Sequence, residues 1–117
     1  MTPQNTQAQI ARWMGWMPTA DKPPYWYTRD DPTHEGDPRR LPDLTTFVGV
    51  AEWCAVVELE FTRRGWWASS FTWENGSVDF AVYRVAYQMA ESKGVDKLAA
   101  LTAAVLALME SEKRPTN

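Results

Sequence analysis

Along most of the chain the apolar residues recur every three or four positions, and in one stretch they recur every second position. The first helical repeat is Ile10, Trp13, Met14 and Met17, preceded by Thr2-Pro3 and broken by Gly15. Threonine caps a helix with its hydroxyl, proline suits the first helical position, and glycine ends the run, so a helix is predicted over about 3–14. The second repeat is Phe47, Val50, Ala51, Cys54, Val57 and Phe61, with Glu52, Glu58, Glu60, Arg63 and Arg64 mostly off that stripe. Asp43 is its expected cap and Gly65 its stop, which predicts a helix over about 44–64. The third is Leu98, Leu101, Val105, Leu108 and Met109, capped by Asp96, for a helix over about 96–112. Its alanines at 99, 100, 103, 104 and 107 leave small surfaces that another layer can approach closely.

Between the second and third helices, "WWASSFTWENGSVDFAVYRVAY" alternates, and Asn75-Gly76 is the strongest short hairpin signal in the chain. A two-residue type I′ loop would make Glu74 and Ser77 partners. Trp73 would then face Val78, Phe71 face Phe80, Ser69 face Val82 and Trp67 face Arg84, all on one apolar face. Thr72 with Asp79 and Ser70 with Ala81 would form a polar face. The expected hairpin spans about 66–86. A rival reading makes residues 78–93 helical, because Val78, Val82, Val85 and Met89 also fit a 3.6-residue period; the ambiguity grows after Arg84, where the strand can give way to a helical turn near Tyr87.

Residues 18–42 hold six of the eight prolines, so regular structure is not expected there. Tyr25, Trp26 and Tyr27 argue against disorder, since disordered segments are poor in aromatics. An ordered, irregular loop follows, with a short extended piece around Tyr25–Tyr27. The predicted fold class is α+β: one domain over residues 1–117, an α-β-α sandwich in outline, with the hairpin packed by helices. One hairpin leaves a strand edge exposed, and pairing with a second copy across a two-fold axis would cover it, so a homodimer is expected.

Charge narrows the partners. Twelve basic and fifteen acidic residues give a net charge of -3 with no long run of either sign, which disfavours general nucleic-acid or membrane-surface binding. No apolar run is long enough to span a bilayer, and the start of the chain does not read as a secretion signal. A single cysteine, Cys54, on the apolar stripe, reads as a core thiol in a reducing cytoplasm. The lone histidine, His34, has no second imidazole or thiolate at ligand spacing, so no metal or cofactor is expected. "NGS" at 75–77 reads as a turn rather than a glycosylation site. No catalytic motif is present, and the chain is expected not to be an enzyme.

Binding is the better prospect. Tyr25, Trp26, Tyr27, Arg29, Arg39 and Arg40 share one loop, and Trp66 and Trp67 sit beside Arg63 and Arg64 at the base of the hairpin. Flat rings stack on bases, and arginine forks reach phosphate or carboxylate. Trp26 has a competing role as a plug that anchors the loop to the core.

The order "IARWMGW", "YWYT", "LPDLTTFVGVAEW", hairpin and "KLAALTAAVLALME" resembles the phage ABA sandwich domain proteins over about residues 8–112. These are small phage and prophage proteins of α-β-α layered fold without a settled common activity, so the resemblance carries over no functional residues. This chain differs from them in a longer charged loop and a tryptophan-rich hairpin. The resemblance implies an accessory phage product in the bacterial cytoplasm. The expected function is anti-defence sequestration of a nucleotide-derived immune signal, a small nucleotide being the ligand. The alternatives are a module that blocks a host defence protein, or a virion or regulatory component without a small ligand.

Overall fold

The computed structural model describes residues 3–29, 36–85 and 87–113. The fold is α+β, with three helices and two small antiparallel sheets among the described residues. In chain order the elements are α1 (Pro3–Trp13), β1 (Met17–Pro18), β2 (Trp26–Tyr27), α2 (Phe47–Arg63), β3 (Trp67–Thr72), β4 (Val78–Arg84), β5 (Tyr87–Gly94) and α3 (Lys97–Lys113). All three expected helices form. The chain divides into two compact units, Met1–Trp53 and Cys54–Asn117, with the boundary inside α2. Thr2, His34 and the terminal "RPTN" lie outside the described residues.

α1 and α2 end in the same way. Gly15 and Gly65 take φ of +87° and +78°, values at which a Cβ would be strained. Their amides bond back to Arg12 and Thr62, and the amides of Trp16 and Trp66 reach Ala11 and Phe61 at 3.0 and 2.9 Å. This is the Schellman closure, usually completed by an apolar residue just past the glycine. Here tryptophan fills that place twice. Trp16 meets Trp53 edge-on, and Trp66 lies against Phe61, each pair with ring centroids 6.3 Å apart.

The start of α2 differs from the expectation. Asp43 is not its cap: its carboxylate accepts from the amide and hydroxyl of Thr45, closing a turn ahead of the helix. Thr46 is the cap, its hydroxyl accepting the Gly49 amide at 3.0 Å. The expected apolar stripe also starts too early, because Phe47, in the first turn, is 90% exposed. The buried face is instead Trp53, Cys54, Val57, Glu60 and Phe61. Glu60 is tolerated there because Arg64 pairs with it at 2.8 Å and also holds Glu112 at 3.0 Å.

In the second unit β3, β4 and β5 form one antiparallel sheet in that order. The helical alternative for 78–93 does not form, and neither does a helical turn at Tyr87. Ala90, Ser92 and Gly94 lie on the same sheet face as Val82, Phe80 and Val78, their register partners. Small residues at every second position let α3 come close, with Ala100, Leu101, Ala104, Val105 and Leu108 buried. The Ser92 hydroxyl donates to the Ala100 carbonyl. That packing overrides the helix propensity of "YQMAESK".

The hairpin forms with its register shifted by one. Trp73 pairs with Ser77 through its amide (2.8 Å), and Gly76 donates to the Trp73 carbonyl, so the loop has three residues, Glu74, Asn75 and Gly76. Gly76 holds φ +89°, whereas Asn75 does not take positive φ and instead accepts from the Ser77 amide and hydroxyl. A type I′ turn needs positive φ at both central residues; a turn closed by one left-handed glycine needs it at one. Trp67 therefore pairs with Tyr83, Ser69 with Ala81 and Phe71 with Asp79, while Ala68, Ser70 and Thr72 lie opposite Val82, Phe80 and Val78. One residue of slip moves every β3 side chain to the other face. The rings of β3 thus stand opposite the buried face, not on it.

Gly49 offers a test of the α2 start. A Cβ there would lie 1.9 Å from the Asp43 carbonyl oxygen and 2.8 Å from the Thr46 hydroxyl oxygen. Glycine to alanine inside a helix ordinarily stabilises by about 1 kcal/mol. Gly49→Ala is expected to destabilise instead, by about 1 kcal/mol or more, read from the urea midpoint. A variant as stable as the parent would refute the turn described.

Candidate functional site

In the first unit, the proline-rich segment is held by backbone pairing where amides remain. β2 pairs with β1, and Trp26 exchanges both main-chain bonds with Arg39, at 2.7 and 3.0 Å. Thr19 braces the turn leading there: its hydroxyl donates to Asp21 and accepts the Tyr25 amide at 3.0 Å. The Lys22–Pro23 peptide is cis. The expected extended piece is thus present, and Trp26 is 2% exposed, in the anchoring role. Gln7 of α1, also buried, donates to the Pro42 carbonyl at 2.9 Å and ties the segment to the helix.

The loop arginines lie over rings of the protein itself. Arg40 stands 4.2 Å from the Tyr25 centroid, Arg39 5.3 Å from Trp16, and Arg12 of α1 5.6 Å from Trp26. Each such contact contributes about 0.5–1 kcal/mol when exposed. Arg40 also donates to the Pro23 carbonyl at 2.9 Å. Arg29 packs its aliphatic stem beside Gly15, and Tyr27 is half-buried. Of the expected loop residues, the structure therefore brings Tyr25 and Arg40 together directly, while the Arg29 stem lies beside Gly15.

Next to Arg40 lies a cavity of about 490 Å³. Pro23, Pro24, Trp26 and Leu41 give it apolar walls, and Asn5, Arg40, Asp43 and Thr45 supply polar groups at its edge. Its volume falls within the range of small-molecule pockets, which pair an apolar lining with a few convergent polar groups. The two hydrogen bonds from Thr45 hold the Asp43 carboxyl below its usual pKa. The pocket edge therefore carries one fixed cation and one carboxylate that stays ionised.

In the second unit, the expected Trp66–Trp67 cluster is split across two sides. Trp66 is half-buried with the Arg64 guanidinium 5.3 Å from its ring, whereas Trp67 stacks on Tyr83 at 4.3 Å with 15° between planes. Its indole nitrogen donates to the carbonyl of Val85. Farther along, Phe71 meets Trp73 edge-on at 4.8 Å, and the Trp73 indole donates to Asp79 at 2.8 Å. Trp67, Phe71 and Trp73 are each more than half exposed. Sequence reasoning missed Phe71, Trp73 and Tyr83 as a surface because the assumed register buried the first two. It also missed Arg12 because its signal is helical.

Cys54 is buried and free, and burial raises its pKa, so the thiol is held protonated. Among the described residues no group of three His, Cys, Asp or Glu side chains could hold a metal ion, and no helix is long and apolar enough to cross a membrane. Compared with known proteins, the chain matches no protein-family model, no curated protein and no solved structure.

The Asp43 turn should show itself in pH dependence. Because the carboxyl is depressed when folded, its contribution is present above the unfolded pKa near 3.8 and is lost as pH falls through the folded value. The stability difference between the parent and Asp43→Asn is expected to be flat from neutral pH to about 5 and to shrink in more acid solution. Chemical denaturation at several pH values measures it. A difference that grows as pH falls would contradict the bonding described.

Proposed function

We propose that the chain is a non-enzymatic binding protein whose ligand is a small planar anion, held in the cavity beside Arg40. The observation that carries this reading is the Arg40 guanidinium fixed between the Tyr25 ring and the Pro23 carbonyl, at the edge of a pocket walled by prolines and Trp26. An arginine held in place this way loses little freedom on binding, and its planar fork suits a phosphate or carboxylate. The apolar walls suit the ring body of such a ligand.

Within that class we favour a nucleotide-derived signal. Sequestration of an immune nucleotide by a phage protein in the bacterial cytoplasm would be its setting, and that setting rests on the sequence resemblance alone. A second reading, a module that binds a host protein, draws support from the exposed Phe71 and Trp73 of the second unit. Large rings in exposed patches are frequent anchors of protein interfaces.

Isothermal titration of the purified protein with cyclic mononucleotides, cyclic dinucleotides and ADP-ribose derivatives tests the first reading. A saturable signal is expected with at least one of them, weakened about tenfold or more in Arg40→Ala, as befits loss of a charge-assisted contact. Absence of heat across the panel at micromolar protein would overturn it. Retention of a bacterial protein that Phe71→Ser abolishes would favour the second.

A further inference from the structure

β3 is an edge strand, and among the described residues its only sheet partner is β4. Natural edges are shielded from stray pairing by charge, proline, a bulge or shortness. The sequence "WASSFT" has neither charge nor proline, and its register with β4 is unbroken over six residues. Ser69, Ser70, Phe71 and Thr72 are all exposed.

The parity of the ladder says which main-chain groups are available. The Trp73 amide bonds to Ser77, so Trp73 belongs to the set whose N–H and C=O point toward β4. Alternation puts Phe71, Ser69 and Trp67 in that set as well. The N–H and C=O groups of Ala68, Ser70 and Thr72 then point away from the sheet, with Ser70 at their centre.

We propose that a second copy of this chain occupies this edge, the two β3 strands pairing antiparallel about a two-fold axis at Ser70 to make one six-stranded sheet. In this register Ser70 faces Ser70, Ala68 faces Thr72, and Trp67 faces Trp73 of the other copy. Every outward group of the strand finds a partner. Moving the axis to Ser69 or Phe71 leaves the outward groups at one end of each strand without a match inside β3. The charges also agree. β3 itself carries no charged side chain, so antiparallel pairing sets no like charges against each other along the edge. The rings add a reason to associate, since Trp67 and Trp73, both about half exposed, would cover one another across the axis. The inference concerns the second unit and stands whether or not the cavity beside Arg40 takes a ligand.

Sedimentation equilibrium without any ligand reads the mass directly. The parent is expected to move from the 13.4 kDa of one chain to twice that as concentration rises. Ser70→Pro removes an amide that does not serve β4, so it should abolish the dimer while leaving the circular-dichroism melt nearly unchanged. If Ser70→Pro fails to fold, Ser70→Lys takes its place, because it sets two like charges against each other on the axis. Register is read by oxidation: Ser70→Cys is expected to form a disulfide-linked dimer. Ser69→Cys should not, as its two sulfur-bearing residues would sit roughly 8 Å apart, beyond disulfide reach. A parent that stays at the mass of one chain at every concentration overturns the proposal. So does a dimer that persists in the folded proline or lysine variant, or cross-linking by Ser69→Cys in place of Ser70→Cys.

Discussion

The left-handed conformation of Gly76 sets the count of residues in the β3–β4 loop, and that count decides which way each side chain of β3 points. With three residues in the loop, the even-numbered, small members of β3 fall on the side of Val78, Phe80 and Val82. The odd-numbered, ring-bearing members fall on the other. The inner face is then built from Ala68, Ala90, Ser92 and Gly94 around a few large β4 residues, and α3 can lie close to it with Ala100 and Ala104 fully buried. With two residues in the loop, Phe71 and Trp73 would crowd that same face. A close helix and bulky inward rings are alternatives, and the turn selects between them.

The cost of this arrangement appears on the outer face, where Trp67, Phe71 and Trp73 remain largely exposed. The protein reduces that cost locally. Trp67 stacks on Tyr83 and bonds to the Val85 carbonyl, while Trp73 leans on Phe71 and bonds to Asp79. Both indole donors are satisfied by the protein itself, and each ring still keeps about half of its surface exposed, Trp67 with one face stacked on Tyr83. Val85 holds φ +55° in the next turn, unusual for a β-branched residue. It sits where the carbonyl serving Trp67 is presented.

The first unit solves a different problem. Its prolines remove amides, so the segment from 18 to 42 cannot be secured by a continuous ladder. It is secured at points: the Trp26–Arg39 exchange, the Thr19 hydroxyl, and the Gln7 bond to Pro42. Trp26 fills the interior, and arginines from the helix and the loop lie over the rings. A guanidinium over a ring keeps its edge donors directed outward, so the same contacts that hold the segment also orient Arg40 beside the cavity. The proposed binding role would thus reuse residues that already secure this loop.

The helices were legible because their signals are local. Period, cap and stop residues lie within a few positions of one another, and Gly15 and Gly65 each announce a helix end, although the covering role of Trp16 and Trp66 emerged only from packing. The anchoring of Trp26 was legible for a similar reason, an aromatic among prolines. Other features were set by contacts distant in sequence. β5 is a strand because α3 needs small residues at every second position beneath it, although "YQMAESK" by itself favours a helix. Arg39 and Arg40 read as free forks in sequence, whereas packing lays them over Trp16 and Tyr25. The exposed rings of β3 were hidden by a single φ value, since Asn-Gly suits more than one turn. By itself, then, the sequence determined where the helices run and which segment is stiff and irregular, because neighbours decide those. The face each strand residue takes and the ring each arginine covers were decided only in the tertiary structure, because they depend on register and packing between distant segments.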